Sequence, residues 1–220
     1  LFQLNNSINM SKLLYQTHRG KCFIGDSKKL LESEVGDELR NRVQLIFTSP
    51  PFPLITKKRY GNLNGEIYKK WLIDFSDVFS DLLKEDGSIV IELGNAWEMG
   101  RPVQSLLSLE ALLGFINNSK SNLRLCQEFI CYNPSRLPSP AQWVTIERIR
   151  AVDSFTHLWW MSNSDYPKAD NKKVLRPYGK RMKQILGSKK CNAGKRPSAH
   201  NINGKSFMTD NLGSIMPNLI

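Results

Sequence analysis

The 220-residue sequence contains no run of 18 or more apolar residues, and residues 1–9 lack the basic start and apolar block of a secretory signal. Both absences point to a cytosolic protein with no membrane partner. Cysteine and histidine are scarce. Cys22, Cys126, Cys131 and Cys191 include no Cys-x-x-Cys pair, and with only three histidines beside them a zinc or other metal site is not expected. The four read as core thiols. No internal repeat is present.

A hydrophobic content of 40% with five Trp fits a globular chain, long enough for one sizeable core and a smaller appended lobe. Its net charge of +11 is unevenly placed. Residues 131–205 hold 15 Lys+Arg against 4 Asp+Glu, whereas the remainder holds 16 against 16. A neutral portion followed by a basic, aromatic-rich one implies a polyanion lying across the basic segment, and nucleic acid is the expected polyanion.

The most informative stretch is Val43-Gln44-Leu45-Ile46-Phe47-Thr48-Ser49-Pro50-Pro51-Phe52-Pro53-Leu54. An apolar strand run stops at a polar pair and two prolines. Proline has no backbone N–H for a sheet ladder and fixes its own φ, so a stiff turn is expected at the strand's carboxyl end. In open α/β sheets that end is where ligands bind. The turn offers a hydroxyl, carbonyls and the Phe52 ring, a set able to hold a planar ring bearing an amine.

Elsewhere, residues 1–15 show no clear period. Residues 21–26 read as a short strand ending in Gly25-Asp26. Asp26 there is either a cap of the helix opening at Ser27 or a carboxylate for an adenine amine or ribose hydroxyl. Residues 55–65 form a polar loop in which Lys57, Lys58 and Arg59 suit a phosphate backbone or merely a solvated surface. Apolar residues from Tyr68 to Leu83 recur at helical spacing and predict one amphipathic helix of about four turns, ended by Asp86-Gly87. A buried strand over 88–94 follows. Next come a helix started by Arg101-Pro102, an extended segment over 123–132, and a strand over 155–161. Residues 172–186 read as a basic helix broken by Pro177, and 187–198 as a loop or link. The alternation predicts a parallel, helix-covered α/β sheet.

Thr48-Ser49-Pro50-Pro51-Phe52 resembles the catalytic motif of the permuted (beta-group) amino DNA methyltransferases, the Ser form being typical of those acting on the N4 amine of cytosine. Gly25-Asp26, 57–62, 87–94 with Trp97, 133–140, Trp159-Trp160, 166–168 and 196–198 follow in that family's order, so the likeness runs from about Lys21 to Ile220. It implies a Rossmann-like fold divided into a leader (1–20), a catalytic subdomain (21–132), a basic target-recognition region (133–205) and a link (206–220).

It further implies that Ser49, Pro50, Pro51 and Phe52 are catalytic, that Asp26, Thr48 and Ser49 contact S-adenosylmethionine, and that Tyr132 and Asn133 either wall the base pocket or pack in the core. Double-stranded DNA would be the substrate. Its candidate contacts are Lys57, Lys58, Arg59, Arg136, Arg148, Arg150, Lys168, Lys172, Lys173, Arg176, Arg181, Arg196 and His200, any of which also suits a solvated surface. A cognate restriction endonuclease would share the site without having to bind. The family's cofactor loop, of Phe-x-Gly-x-Gly type, has no counterpart after Gly213–Ile220, so a split or truncated enzyme with a second polypeptide supplying that loop is expected. Adenine N6 methylation and a catalytically silent DNA-binding remnant are the alternatives. Carbon-5 chemistry needs a Pro-Cys nucleophile, and none of the four cysteines follows a proline.

Overall fold

The computed structural model describes residues 12–53, 63–118 and 120–220, without the side chains of 202, 204 and 206. The chain divides into one unit of residues up to 168 together with Leu219 and Ile220, and a second of Ala169–Asn218.

The first unit begins with an antiparallel hairpin of β1 (Lys12–Thr17) and β2 (Gly20–Ile24). Residues 12–15, within the stretch that shows no clear period in the sequence, thus lie in a strand. Two short helices follow, α1 (Ser27–Leu31) and α2 (Glu34–Leu39), and then β3 (Val43–Thr48). Beyond it lie α3 (Gly65–Ile73), α4 (Phe75–Leu82) and β4 (Leu83–Gly94). A second small hairpin joins β5 (Ala96–Trp97) to β6 (Gln104–Ser105), ahead of α5 (Leu107–Ile116), β7 (Arg124–Tyr132) and β8 (Phe155–Ser162).

The main sheet runs β3-β4-β8-β7. Only β3 and β4 are parallel; β8 is antiparallel to both neighbours. The expected all-parallel sheet is therefore corrected to a mixed one. A period-2 apolar pattern carries no information about strand direction, which is why residues alone did not reveal it.

Two helix expectations are also corrected. The single helix over 68–83 breaks at Asp74, which caps the end of α3 and precedes α4, and the chain enters β4 already at Leu83, so Asp86-Gly87 lies inside the strand. Arg101-Pro102 does not start a helix. It lies in the turn of the β5–β6 hairpin, and α5 begins only at Leu107.

The helices cover one face of the sheet. Tyr68, Leu72, Phe75, Phe79, Ala111 and Phe115 pack with Ile89, Ile91, Leu93, Trp159 and Met161, alternate positions on β4 and β8. Burial pushes the Tyr68 phenol pKa upward by desolvation. Aromatic contacts run continuously through Trp71, Phe75, Phe79 and Phe115. On the opposite face the β3 side chains Leu45 and Phe47 are 55% and 62% exposed. None of the four cysteines forms a disulfide, and all are half-buried, not the fully buried core thiols expected.

The second unit contains a short 3₁₀ segment (Asn171–Val174), α6 (Lys180–Ser188) and a two-residue ladder of β9 (Gly194–Lys195) with β10 (Asn201–Ile202). Pro177 falls between the helical pieces, where the sequence placed the break. No described helix is long and apolar enough to cross a membrane.

The two faces of the sheet predict opposite outcomes. Phe115 is 1% exposed, so Phe115→Ala should cost about 3–5 kcal/mol in urea denaturation. Phe47→Ser in the same chain should change stability by no more than about 0.5 kcal/mol. Equal losses at the two positions would show that the Phe47 face is covered.

Candidate active site

The parallel ladder brings Thr48 opposite Ile91, so the chain leaves β3 at the level of the last residues of β4. Ser49 is exposed there, Pro50 and Pro53 are buried, Pro51 is exposed, and Phe52 is half-buried. The prolines anchor the turn while the Ser49 hydroxyl remains accessible. Phe52 packs against the core cluster and onto Gly94. A Cβ at residue 94 would lie 2.9 Å from both Cδ2 and Cε2 of that ring, closer than real contacts allow, so the approach needs a glycine there.

The same face of Gly94 is reached by Arg136, whose Nη2 lies 3.7 Å from that Cβ position. Arg136 Nη1 donates to the carbonyl of Phe155 at 2.8 Å. The loop bearing it is tied down by Asn133, whose N–H donates to Ser154 O at 2.8 Å and whose Oδ1 accepts from Ser135 N at 3.0 Å. Arg136 thus sits beside the Ser-Pro-Pro-Phe turn although 87 positions separate it from Ser49 in the sequence.

Two further groups at this end of the sheet were not singled out from sequence. Glu92, half-buried near the end of β4, accepts from Thr156 Oγ1 at 3.0 Å. Buried His157 has its Nδ1 2.6 Å from Glu128 Oε1 and its Nε2 3.0 Å from Asn95 Oδ1. Asn95 Nδ2 in turn donates to Asp153 at 2.8 Å, and Gln104 donates to Asn95. Both ring nitrogens being engaged, this chain joins β7 and β8 to Asn95, the residue just past the end of β4. Lone polar residues inside apolar strand runs give no sequence signal of mutual contact.

Asp26 is the N-cap of α1, its Oδ1 accepting from the N–H groups of Lys28 and Lys29 at 3.0 and 3.3 Å. It follows β2 of the separate hairpin, at that strand's carboxyl end. Its side chain is exposed and held in one orientation by the cap. Tyr132 is exposed and not a core residue. Its N–H donates to Ile220 O at 2.7 Å, where Leu219 and Ile220 extend the edge of β7.

The other expected DNA contacts divide among both units. Lys57, Lys58 and Arg59 lie outside the described residues. In the first unit Arg148 is exposed with φ +57°, Lys168 is exposed, and Arg150 donates to the carbonyls of Pro102 and Ile149 at 2.9 and 2.7 Å. In the second unit Lys172, Lys173, Arg176, Arg181, Arg196 and His200 are all exposed. His200 lies on the β9–β10 turn with Nδ1 3.0 Å from Ser198 O. This unit carries eleven Lys+Arg, every one exposed, against two Asp, a net of +9. Nearly all of the protein's excess charge is thus concentrated there.

Residues 43–205 match the N6_N4_Mtase family, described as DNA methylase. The chain is 41% identical over 219 residues to the Type II methyltransferase M.PvuII of Proteus hauseri, spanning 98% of this chain and 63% of that protein. Among solved structures it resembles the PvuII DNA methyltransferase (cytosine-N4-specific), with a TM-score of 0.60 and 34% identity over 79% of this chain and 64% of the other. The chain therefore covers just under two thirds of the length of these relatives. With the family match spanning the proline turn, the main sheet and the basic segment through Lys205, the chain belongs to the N6_N4_Mtase family of DNA methylases.

Proposed function

We propose that this protein takes part in transferring a methyl group from S-adenosylmethionine to the N4 amine of a cytosine turned out of double-stranded DNA, within a restriction-modification system. The observation that carries the reading is the turn itself. Ser49 is exposed at the carboxyl end of β3 with Phe52 seated on Gly94 beside it, in a chain 41% identical to a Type II methyltransferase.

An exocyclic cytosine amine is a poor nucleophile because its lone pair is delocalised into the ring. The Ser49 hydroxyl and the Pro50 carbonyl accept hydrogen bonds from that amine and draw the nitrogen toward tetrahedral geometry, which localises the lone pair without a covalent enzyme intermediate. A paired base hides its amine, so it must leave the stack, and the Phe52 ring offers it a new surface. S-adenosylmethionine supplies an electrophilic sulfonium methyl when bound. Asp26 and Thr48 fit it in donor type: an exposed carboxylate fixed by its helix cap suits a ribose hydroxyl or adenine amine, and Thr48 carries a hydroxyl at the end of the β3 ladder beside Ser49.

Lys172, Lys173, Arg176, Arg181, Arg196 and His200 would meet phosphates, as would Arg148 and Lys168 and, outside the described residues, Lys57, Lys58 and Arg59. Phosphate contacts position a protein on DNA and make its binding salt-dependent. The eleven exposed cations of the second unit also favour a second reading, DNA binding without methyl transfer.

Labelled S-adenosylmethionine and duplex DNA, with the chain alone and with a polypeptide carrying a Phe-x-Gly-x-Gly loop, separate these readings once the DNA is digested to nucleosides. The expected product is N4-methylcytosine, reduced about a hundredfold by Ser49→Ala. Label in N6-methyladenine would reassign the base, and no label in any combination would leave only the binding reading. Replacing Lys172, Lys173 and Arg176 together with Ala should weaken binding to all duplex sequences alike. It should also lower the slope of log K against log salt by about one for each phosphate that is no longer neutralised. An unchanged slope would remove these three residues from the interface.

A further inference from the structure

Among the described residues, Arg136 differs from the other arginines expected to contact DNA. Arg148 is exposed, Arg150 is spent on two backbone carbonyls, and those of the second unit all face solvent. Arg136 is half-buried, anchored through Nη1 on the Phe155 carbonyl, and its Nη2 shares one face of Gly94 with the Phe52 ring. Among the described residues no other hydrogen bond or ion pair of this guanidinium is found. A guanidinium half withdrawn from water with donors to spare, next to the ring proposed to receive a base, is poorly placed for a phosphate and well placed for a base edge.

From this geometry we infer that Arg136 reads the identity of the extruded base, donating to the O2 and N3 acceptor edge of cytosine while Ser49 and Pro50 hold its amine. This inference rests on the proposed base-extruding methyltransferase reading. Cytosine presents three consecutive groups on that edge: a donor amine, then two acceptors. Adenine presents an amine and one ring nitrogen, but a C–H where cytosine has O2. With adenine bound, one donor of the half-buried Arg136 is left unpaired, and sites built to hydrogen-bond a group reject the analogue lacking it. Choice of base then comes from Arg136 as well as from the Ser-Pro-Pro turn, whereas the exposed cations set affinity without regard to base.

The test needs no turnover. Binding of the full chain is measured by fluorescence anisotropy on otherwise identical duplexes in which one adenine faces cytosine, adenine or an abasic site, beside a fully paired control. Either mismatch lowers the cost of extrusion. The native chain should bind the cytosine mismatch about tenfold more tightly than the adenine mismatch. Arg136→Gln should abolish that ratio while leaving abasic affinity and its salt slope unchanged. Arg136→Lys should restore it only in part, since a point charge does not replace a planar fork.

Equal weakening on all four duplexes with a shallower salt slope would make Arg136 a phosphate contact and overturn the inference. An unchanged cytosine-to-adenine ratio in Arg136→Gln would do the same, as would a lowered Tm accompanied by uniform loss of binding. If the native chain binds neither mismatch better than the paired control, base extrusion itself fails, and the inference with it.

Discussion

The parallel pairing of β3 with β4 is the constraint from which the site follows. In a parallel ladder both strands run in the same direction, so the register Thr48 to Ile91 sends the chain leaving β3 alongside the last residues of β4, where Phe52 meets Gly94. Because Pro50 and Pro51 cannot donate to a ladder, the chain must turn there and cannot slide along the sheet. Gly94 then fixes the depth at which Phe52 sits, since any side chain at that position would push the ring outward. Strand register, proline stiffness and one missing Cβ together set the position of one aromatic ring.

What holds the opposite side is polar. The hydrogen-bonded chain from Glu128 on β7 through His157 on β8 reaches Asn95, just past β4, and Asp153, just before β8, around a buried imidazole. Buried polar groups are tolerated when paired, and each pairing here excludes alternatives: a slip of β8 by one residue would turn His157 to the other face and leave both Glu128 and Asn95 without it. The antiparallel return of β8 between β4 and β7 is also what carries Phe155, and with it the carbonyl anchoring Arg136, to the side of Gly94.

The legible parts of the sequence were those where one residue type decides the backbone. β3 ended at Thr48, just ahead of the diproline, Pro177 separated two helical pieces, and the apolar runs located β4 and β8. Illegible were features set by tertiary contact. Nothing in the helical period of residues 68–83 marks the break at Asp74, which keeps a helical backbone itself and forms an ion pair with distant Lys28 at 3.3 Å. Likewise, Arg136 reads as one more cation in a basic segment. Its inward turn depends on Gly94 and on the Phe155 carbonyl, neither of which a linear pattern connects to it. Asp26 was legible as a cap because capping is local, an i to i+2 and i+3 contact.

The charge distribution separates two physical tasks. Net charge of +9 on one small unit raises the local concentration of a polyanion and acts over about a Debye length, but exposed cations on flexible stems are indifferent to what lies between the phosphates. Discrimination among bases needs donors and acceptors held still and kept from water, since only an unpaired group in such a place carries a large penalty. In the first unit those conditions are met around Gly94, where the backbone is fixed by a ladder, the ring by packing and the guanidinium by a carbonyl. Affinity and selectivity therefore call for opposite environments. In the proposed reading this chain would supply them from different residues: cations spread over solvent for the first, and one half-buried arginine for the second.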